Sequence, residues 1–132
     1  MRYFWLTAIL LGGCATAPQS SPLPIDYGSE VSLEDAEAKA HALMNGYLKD
    51  PYSAHWDCVK YVARGSLGSG RLWGDGAEDY HGWVLECLIN AKNSYGAYIG
   101  PQAYQFLFRN GDLDRAAIVG LGMGATQVIF SH

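Results

Sequence analysis

Basic residues are scarce in this chain of 132 residues, which carries nine Lys and Arg against thirteen Asp and Glu. The formal net charge is −4 at pH 7 with His counted as neutral. A protein that binds DNA or RNA needs a basic surface that neutralises phosphates. The composition therefore argues against nucleic acid as a partner, and it gives no support for electrostatic adhesion to anionic lipid.

The beginning of the chain lacks an apolar run long enough to cross a membrane. Residues 3–11 are mostly apolar and follow the basic residue Arg2. A permanent transmembrane helix needs ~20 apolar residues, so this run is too short. A basic residue followed by a short apolar segment is typical of a secretory signal peptide.

Motifs of catalysis and of cofactor binding are also missing. The sequence has no G-x-S-x-G nucleophile motif, and Asp75, Glu78 and Asp79 do not have the spacing of an EF-hand loop. The run GLGMGA at 120–125 has no βαβ unit before it and no room for a helix after it, so it does not predict dinucleotide binding. We therefore expect no cofactor, no metal and no enzyme activity.

The residues Leu11-Gly12-Gly13-Cys14 resemble the lipobox of bacterial lipoproteins. This resemblance implies that Cys14 is acylated and that residues 1–13 are removed as a lipoprotein signal peptide. Ala15 follows the cysteine where an Asp would imply retention in the inner membrane, so the expected location is the periplasmic face of the outer membrane. The alternative is ordinary secretion with cleavage after Ala17, which leaves Cys14 without a role.

Removal of the signal peptide would leave eight basic residues (9 − 1) against thirteen acidic ones, a net charge of −5. Residues 14–32 then contain three prolines, several serines and no apolar periodicity, which predicts an acylated cysteine followed by a flexible tether. Residues 33–132 are expected to form a single folded domain.

Cys58 and Cys87 are the cysteines that remain besides Cys14. Export to an oxidising compartment predicts a disulfide between them. Closing a loop of ~30 residues would stabilise the domain by roughly 3–4 kcal/mol. A zinc site made with His55 and His81 is the weaker alternative, because the chain has no C-x-x-C pair and the compartment is oxidising.

The pattern of residues 33–49 predicts one amphipathic helix. Ser32 is placed to cap its first turn, and Pro51 forces the preceding residue out of the helical region. Apolar residues recur at helical spacing on one face. They are Leu33, Ala36, Ala40, Leu43, Met44, Tyr47 and Leu48.

Alternating patterns after the helix predict strands, and Asn110-Gly111 predicts a hairpin turn. The expected strands are 55–64, 81–91, 103–109, 113–119 and a short one at 128–130, with a long Gly-rich loop over 65–80. Trp83, Leu85, Cys87 and Ile89 should share one face of the sheet, as should Tyr104, Phe106 and Phe108. The predicted fold class is α+β, with one amphipathic N-terminal helix packed on a small antiparallel β-sheet.

The segments YLKDPYSAHW, GWVLECLINAKNSYGAYIGPQAYQFLF and RNGDL resemble a family of small, mostly uncharacterised bacterial exported proteins and lipoproteins. The shared features are a D-P-x-S-A segment after a helix and a turn of the form N-x-K-N-S-[YF]-G-x-Y-x-G. The resemblance covers residues 47–113, with Ala97 where the family often has Gly, and Ile99 where it often has Thr or Val. It implies a helix against an antiparallel sheet, and it implies no reaction.

The turn within residues 90–100 has two interpretations. It is either an irregular corner between two strands, built from residues that favour turns, or a shallow site whose amides and rings read a sugar or a peptide. The candidate binding residues are Asn90, Lys92, Asn93, Tyr95 and Tyr98.

The function expected from the sequence is a non-enzymatic lipoprotein of the outer membrane, held there through Cys14. It would act as a binding or envelope-assembly accessory module, with peptidoglycan or an envelope protein as its partner. One alternative is an inhibitor or immunity-type protein that plugs an envelope hydrolase such as lysozyme. Another is a hydrolase that uses Lys92 and Tyr95.

Overall fold

A computed structural model describes residues 22–68, 79–120 and 126–132 of the chain. In these ranges it forms α1 (Leu33–Tyr47), β1 (Asp50–Cys58), β2 (Ala63–Gly68), β3 (Asp79–Lys92), β4 (Gln102–Arg109), β5 (Asp112–Val119) and β6 (Thr126–Ser131). The strands form one sheet in which every pairing is antiparallel. The α+β class and the packing of a helix on an antiparallel sheet are confirmed. The predicted signal peptide and Cys14 lie outside the described residues.

Helix α1 begins at the predicted cap. The Ser32 hydroxyl oxygen accepts a hydrogen bond from the Asp35 N–H at 3.1 Å, and acidic side chains in the first turn suit the positive end of the helix dipole. Ala36, Ala40 and Met44 are fully buried against the sheet, because they recur every four residues on one face.

The helix ends at Tyr47, two residues before the predicted boundary of 49. The prediction was wrong there because Asp50 already pairs with Lys92 in the sheet. Residues 48 and 49 must therefore make the whole connection between helix and strand. Pro51 lies inside β1 and does not mark the end of the helix.

The long strand β3 carries two separate strands along one edge. β1 pairs with its second half, from Cys58↔Cys87 to Asp50↔Lys92, and β2 pairs with its first half, from Ala63↔Val84 to Gly68↔Asp79. The prediction of one strand over 55–64 was therefore wrong. β3 has 14 residues and β1 has nine, so a second strand is needed to satisfy the remaining backbone groups of that edge.

The predicted loop over 65–80 was also wrong at both ends. Residues 63–68 form β2 and residues 79–80 begin β3, while 69–78 lie outside the described residues. Gly65 faces Gly82 across the pairing, so the glycines are tolerated where backbones come close, and ladder hydrogen bonds override their low strand propensity.

The face of the sheet beneath the helix holds the main core. Leu85, Phe106 and Phe108 are fully buried there, and the predicted faces of β3 and β4 are confirmed. Cys58 and Cys87 lie opposite each other on the same face and are joined by the predicted disulfide. A smaller buried cluster on the other face includes Leu67, Val84, Leu107 and Ala117.

The turn between β4 and β5 is the predicted hairpin. Asn110 has φ 52° and Gly111 has φ 83°, the left-handed conformation that both residue types accept. The strands on either side run over 102–109 and 112–119, each one residue longer at its start than predicted. The last strand extends over 126–131 instead of 128–130.

The chain before the helix contacts the sheet beside this hairpin turn, and we call residues 26–29 the entry segment. The Trp83 indole N–H donates to the Gly28 carbonyl at 3.1 Å, and Arg109 pairs with Asp26 at 3.2 Å. These contacts fall within the range predicted as tether, 14–32. From Asp26 onward the chain is therefore fixed to the folded domain.

Gly28 allows the entry segment to lie directly against the hairpin. Its φ is 71°, and a Cβ at this position would lie 2.7 Å from the Asn110 side-chain oxygen. The same oxygen accepts a hydrogen bond from the Ser29 N–H at 3.0 Å. One glycine thus permits both the turn of the chain and the close approach.

Candidate functional site

At the opposite end of the sheet, two segments meet at a surface that we call the corner: residues 47–53 and residues 90–100. The second segment turns because Asn93 organises it. The Asn93 side-chain oxygen accepts hydrogen bonds from the N–H groups of Tyr95 (2.9 Å) and Ala97 (3.1 Å). Gly96 completes the turn with φ 79°.

Ser53 joins the two segments of the corner. Its hydroxyl accepts a hydrogen bond from the Lys92 N–H at 2.9 Å and donates to the Asp50 carbonyl at 2.9 Å. Its carbonyl accepts a hydrogen bond from the Tyr98 hydroxyl at 3.0 Å. The pairing of β1 with β3 is irregular between Asp50 and His55, and these bonds replace the ladder bonds that the irregularity removes.

A cavity of about 330 Å³ opens between the end of the helix and the turn. It is lined by Tyr47, Leu48, Lys49, Ile89, Ala91, Lys92, Asn93, Ile99, Gly100, Gln102 and Tyr104. Ile89 and Tyr104 are buried, so they form an apolar floor, while charged and amide groups lie nearer the rim. A cavity of this size and mixed lining is typical of a ligand site.

The cavity carries two lysines without an acidic partner. In the described part of the chain the ion pairs are Lys39–Asp112, Arg109–Asp26 and Arg115–Asp114. Lys49 and Lys92 take part in none of them, and the Lys92 ammonium lies 5.5 Å from the centre of the Tyr98 ring. The carboxylate of nearby Asp50 accepts a hydrogen bond from the Ser53 N–H. The two lysines can therefore bind an anionic group of a ligand.

Exposed aromatic and apolar side chains surround these lysines. Their exposed fractions are 99% for Tyr52, 95% for Tyr95, 63% for Ile99, 43% for Tyr98 and 41% for Tyr47. Large side chains that are exposed together, rather than scattered singly, mark a surface for interaction. Tyrosines suit such a surface because each offers a rigid apolar ring and a polar hydroxyl.

The structure places the sequence-predicted residues at this corner in different roles. Lys92 and Asn93 line the cavity, and Tyr95 stands at the tip of the turn. Tyr98 stacks on His55 with 5.2 Å between ring centres. Whether these side chains contact a ligand stays a prediction.

Asn90 lies deeper than the other candidates. It is half-buried in β3, opposite His55, and its side-chain oxygen is buried without a hydrogen-bond partner in the protein. It does not line the cavity. We therefore treat it as part of the sheet beneath the corner.

Sequence reasoning did not assign a binding role to the first segment of the corner. Tyr47, Lys49 and Tyr52 come from the end of the helix and the start of β1, about 40 residues before the turn. The D-P-x-S-A motif was a usable signal, since it places Tyr52 and Ser53 in a defined conformation after Pro51. The pairing of this motif with the turn depends on contacts that are distant in sequence.

Tyr104 at the floor of the cavity keeps its proton. Burial, and secondarily the neighbouring Tyr47, raise the pKa of its phenol above the ordinary value of 10.0. The hydroxyl donates to the Gln102 side-chain oxygen at 3.2 Å. The phenol can therefore offer a hydrogen bond, but it is a poor base.

Cys58 and Cys87 offer no thiolate, because they are bonded to each other. Over residues 22–68, 79–120 and 126–132, no group of three His, Cys, Asp or Glu residues is arranged to hold a metal ion. Within the same ranges, no helix has the length and apolar character needed to span a bilayer.

The fold and the corner together define a one-helix, single-sheet domain with an exposed tyrosine and lysine surface at one end. Comparison of the chain with protein-family models, with curated proteins and with solved structures finds no match.

Proposed function

We propose that this protein is a non-enzymatic, lipid-anchored binding module on the periplasmic face of the outer membrane, and that its corner binds peptidoglycan. The helix is then the N-terminal element of the mature domain. The observation that supports this most directly is the cavity at the corner, where Lys49 and Lys92 lack acidic partners and exposed tyrosines surround the opening.

Peptidoglycan combines sugar rings with peptide stems that carry carboxylates. Tyr52 and Tyr95 are almost fully exposed, so their rings can lie against sugar faces with little loss of side-chain freedom. The two lysines can pair with stem carboxylates, and charge-assisted hydrogen bonds of this type are stronger than neutral ones. The corner therefore offers both kinds of contact within one surface.

Attachment to the membrane rests on Cys14 and on its resemblance to a lipobox cysteine. Acylation there would hold the domain stably, since more than one chain is required for firm anchoring. Labelling with radioactive palmitate tests this, with Cys14→Ser as the control. Incorporation into both proteins, or into neither, contradicts the anchor.

Binding to the wall is tested by co-sedimentation with purified sacculi. We expect Lys92→Gln and Tyr95→Ala to weaken binding about tenfold each, which corresponds to roughly 1.4 kcal/mol. Tyr61→Ala is the matched control, because Tyr61 is 64% exposed but lies outside the corner. Equal retention of all four proteins would exclude the corner as the wall-binding site.

The turn itself favours a second candidate, inhibition of an envelope hydrolase. Tyr95 projects with 95% exposure from a turn that Asn93 holds in place, and a side chain presented rigidly can insert into a cleft at a low entropic cost. Lysozyme assays with the purified protein test this candidate. Inhibition that Tyr95→Ala reduces about tenfold would favour it, and unchanged lysozyme activity would end it.

A further inference from the structure

We infer that the domain presents the corner at the end farthest from its lipid anchor, so that it captures its ligand from the wall and not from the anchoring bilayer. This inference rests on the proposed function, because it needs both the acylated Cys14 and a ligand at the corner. It adds which of two anionic surfaces, wall polymer or membrane headgroups, the lysines meet.

The point where the chain joins the fold lies at the other end of the sheet from the corner. The entry segment contacts Arg109 and Asn110, at the end of β4. β4 begins at Gln102, which lines the cavity of the corner. Eight residues of strand separate the two ends, which is about 26 Å at ~3.3 Å per residue.

The helix runs between the same two ends. Lys39, in its first half, donates a hydrogen bond to the Gly111 carbonyl of the hairpin turn and pairs with Asp112 at 3.2 Å. Tyr47, at its last residue, lines the cavity. Helix and sheet thus hold the entry segment and the corner apart as one packed body.

The chain between the lipid and the fold sets how far the corner can reach. Twelve residue steps (26 − 14) separate Cys14 from Asp26. Fully extended, they cover at most about 40 Å. Added to the length of the domain, this allows the corner to act up to about 65 Å from the membrane surface.

Charge opposes contact between the domain and its own membrane. Acidic residues gather near the entry segment: Asp26, Glu30, Glu34, Asp35, Asp79 and Asp112. Two lysines at the corner could gain ~1 kcal/mol each on an anionic bilayer. A net charge of −5 (8 − 13) on the mature chain works against that attraction.

The test uses the full-length mature lipoprotein in vesicles of phosphatidylethanolamine and phosphatidylglycerol that contain a nitroxide-labelled headgroup. One variant carries a dye at Tyr95→Cys, in the corner. The other carries it at His132→Cys, whose backbone N–H bonds to the Asp114 carbonyl near the entry segment. Both positions are exposed, and the native disulfide stays intact.

We expect the dye at 132 to be quenched severalfold more than the dye at 95, and vesicles that carry the protein to sediment with sacculi. Equal quenching, or stronger quenching at 95 that increases with phosphatidylglycerol, overturns the inference and indicates docking on the anchoring membrane. A mass without acyl chains, or failure of detergent-solubilised protein to bind sacculi, instead overturns the proposed function on which the inference rests.

Discussion

The two ends of the sheet use their polar groups in opposite ways. At the entry segment, Arg109 is paired with Asp26, and the Asn110 side chain accepts a backbone hydrogen bond. At the corner, Lys49 and Lys92 have no acidic partner, and Tyr52 and Tyr95 face solvent. The first end spends its side chains on holding the chain together, while the second leaves them available for a ligand. Substitutions should therefore affect stability at one end and binding at the other.

The disulfide lies between the two ends and should give the largest effect on stability. We expect replacement of Cys58 and Cys87 by Ala to lower the free energy of unfolding by roughly 3–4 kcal/mol, because the bond closes a loop of 29 residues in sequence separation. Urea denaturation measures this, with reduced wild-type protein as the control. A loss below ~1 kcal/mol would mean that the sheet holds β1 without the bond.

The entry segment should be the next most sensitive region. Gly28→Ala should cost about 2 kcal/mol, because its positive φ disfavours a side chain and its Cβ would collide with Asn110. Gly46→Ala is the matched control. Gly46 lies in the helix with no atom within 4 Å of an added Cβ, so this change should stabilise the protein by roughly 0.5–1 kcal/mol. Equal melting temperatures for the two variants would contradict this account of the entry segment.

Within the corner, Ser53 should matter for stability although its neighbours do not. Ser53→Ala removes the acceptor of the Lys92 N–H and should cost about 1 kcal/mol. Ser66→Ala, at an exposed position in β2, should change stability by less than ~0.5 kcal/mol. Thermal unfolding compares the two. If Ser53→Ala changes nothing, the corner does not depend on this serine.

The smallest expected effect is a dependence on alkaline pH. The pKa of Tyr104 is raised in the fold, so the unfolded chain loses this proton first as the pH rises above about 10, and stability falls until the folded pKa is passed. Tyr104→Phe should make this decline shallower. Urea unfolding across the alkaline range measures it, with Tyr95→Phe as the control for an exposed phenol. A wild-type decline no steeper than that of Tyr104→Phe would argue against the buried phenol as its source.

Local patterns predicted much of the fold correctly. The Ser32 cap, the buried stripe of Ala36 and Met44, and the Asn110-Gly111 hairpin each depend on residues within a few positions of one another. The cysteine pair followed from the expected compartment, and the structure joins it. Patterns of this kind work because helix and turn geometry repeat over short distances.

The candidate site was predicted only in part. The turn that Asn93 organises was visible, because its hydrogen bonds reach only to residues 95 and 97. The contribution of Tyr47 and Lys49 was not, because they meet the turn through the pairing of β1 with β3. The division of one predicted strand into β1 and β2 was missed for the same reason, since it depends on the length of a distant partner strand.

The sequence by itself determined the helix with its cap, the alternation of the main strands, the hairpin and the deficit of basic residues. Each of these depends on residue types at short spacing or on composition. Only the tertiary structure decided that Gly28 meets Asn110 at one end and that Lys49 and Lys92 share a cavity at the other. Such meetings depend on which strand edges remain to be paired and which faces remain to be buried, and the whole chain settles these together.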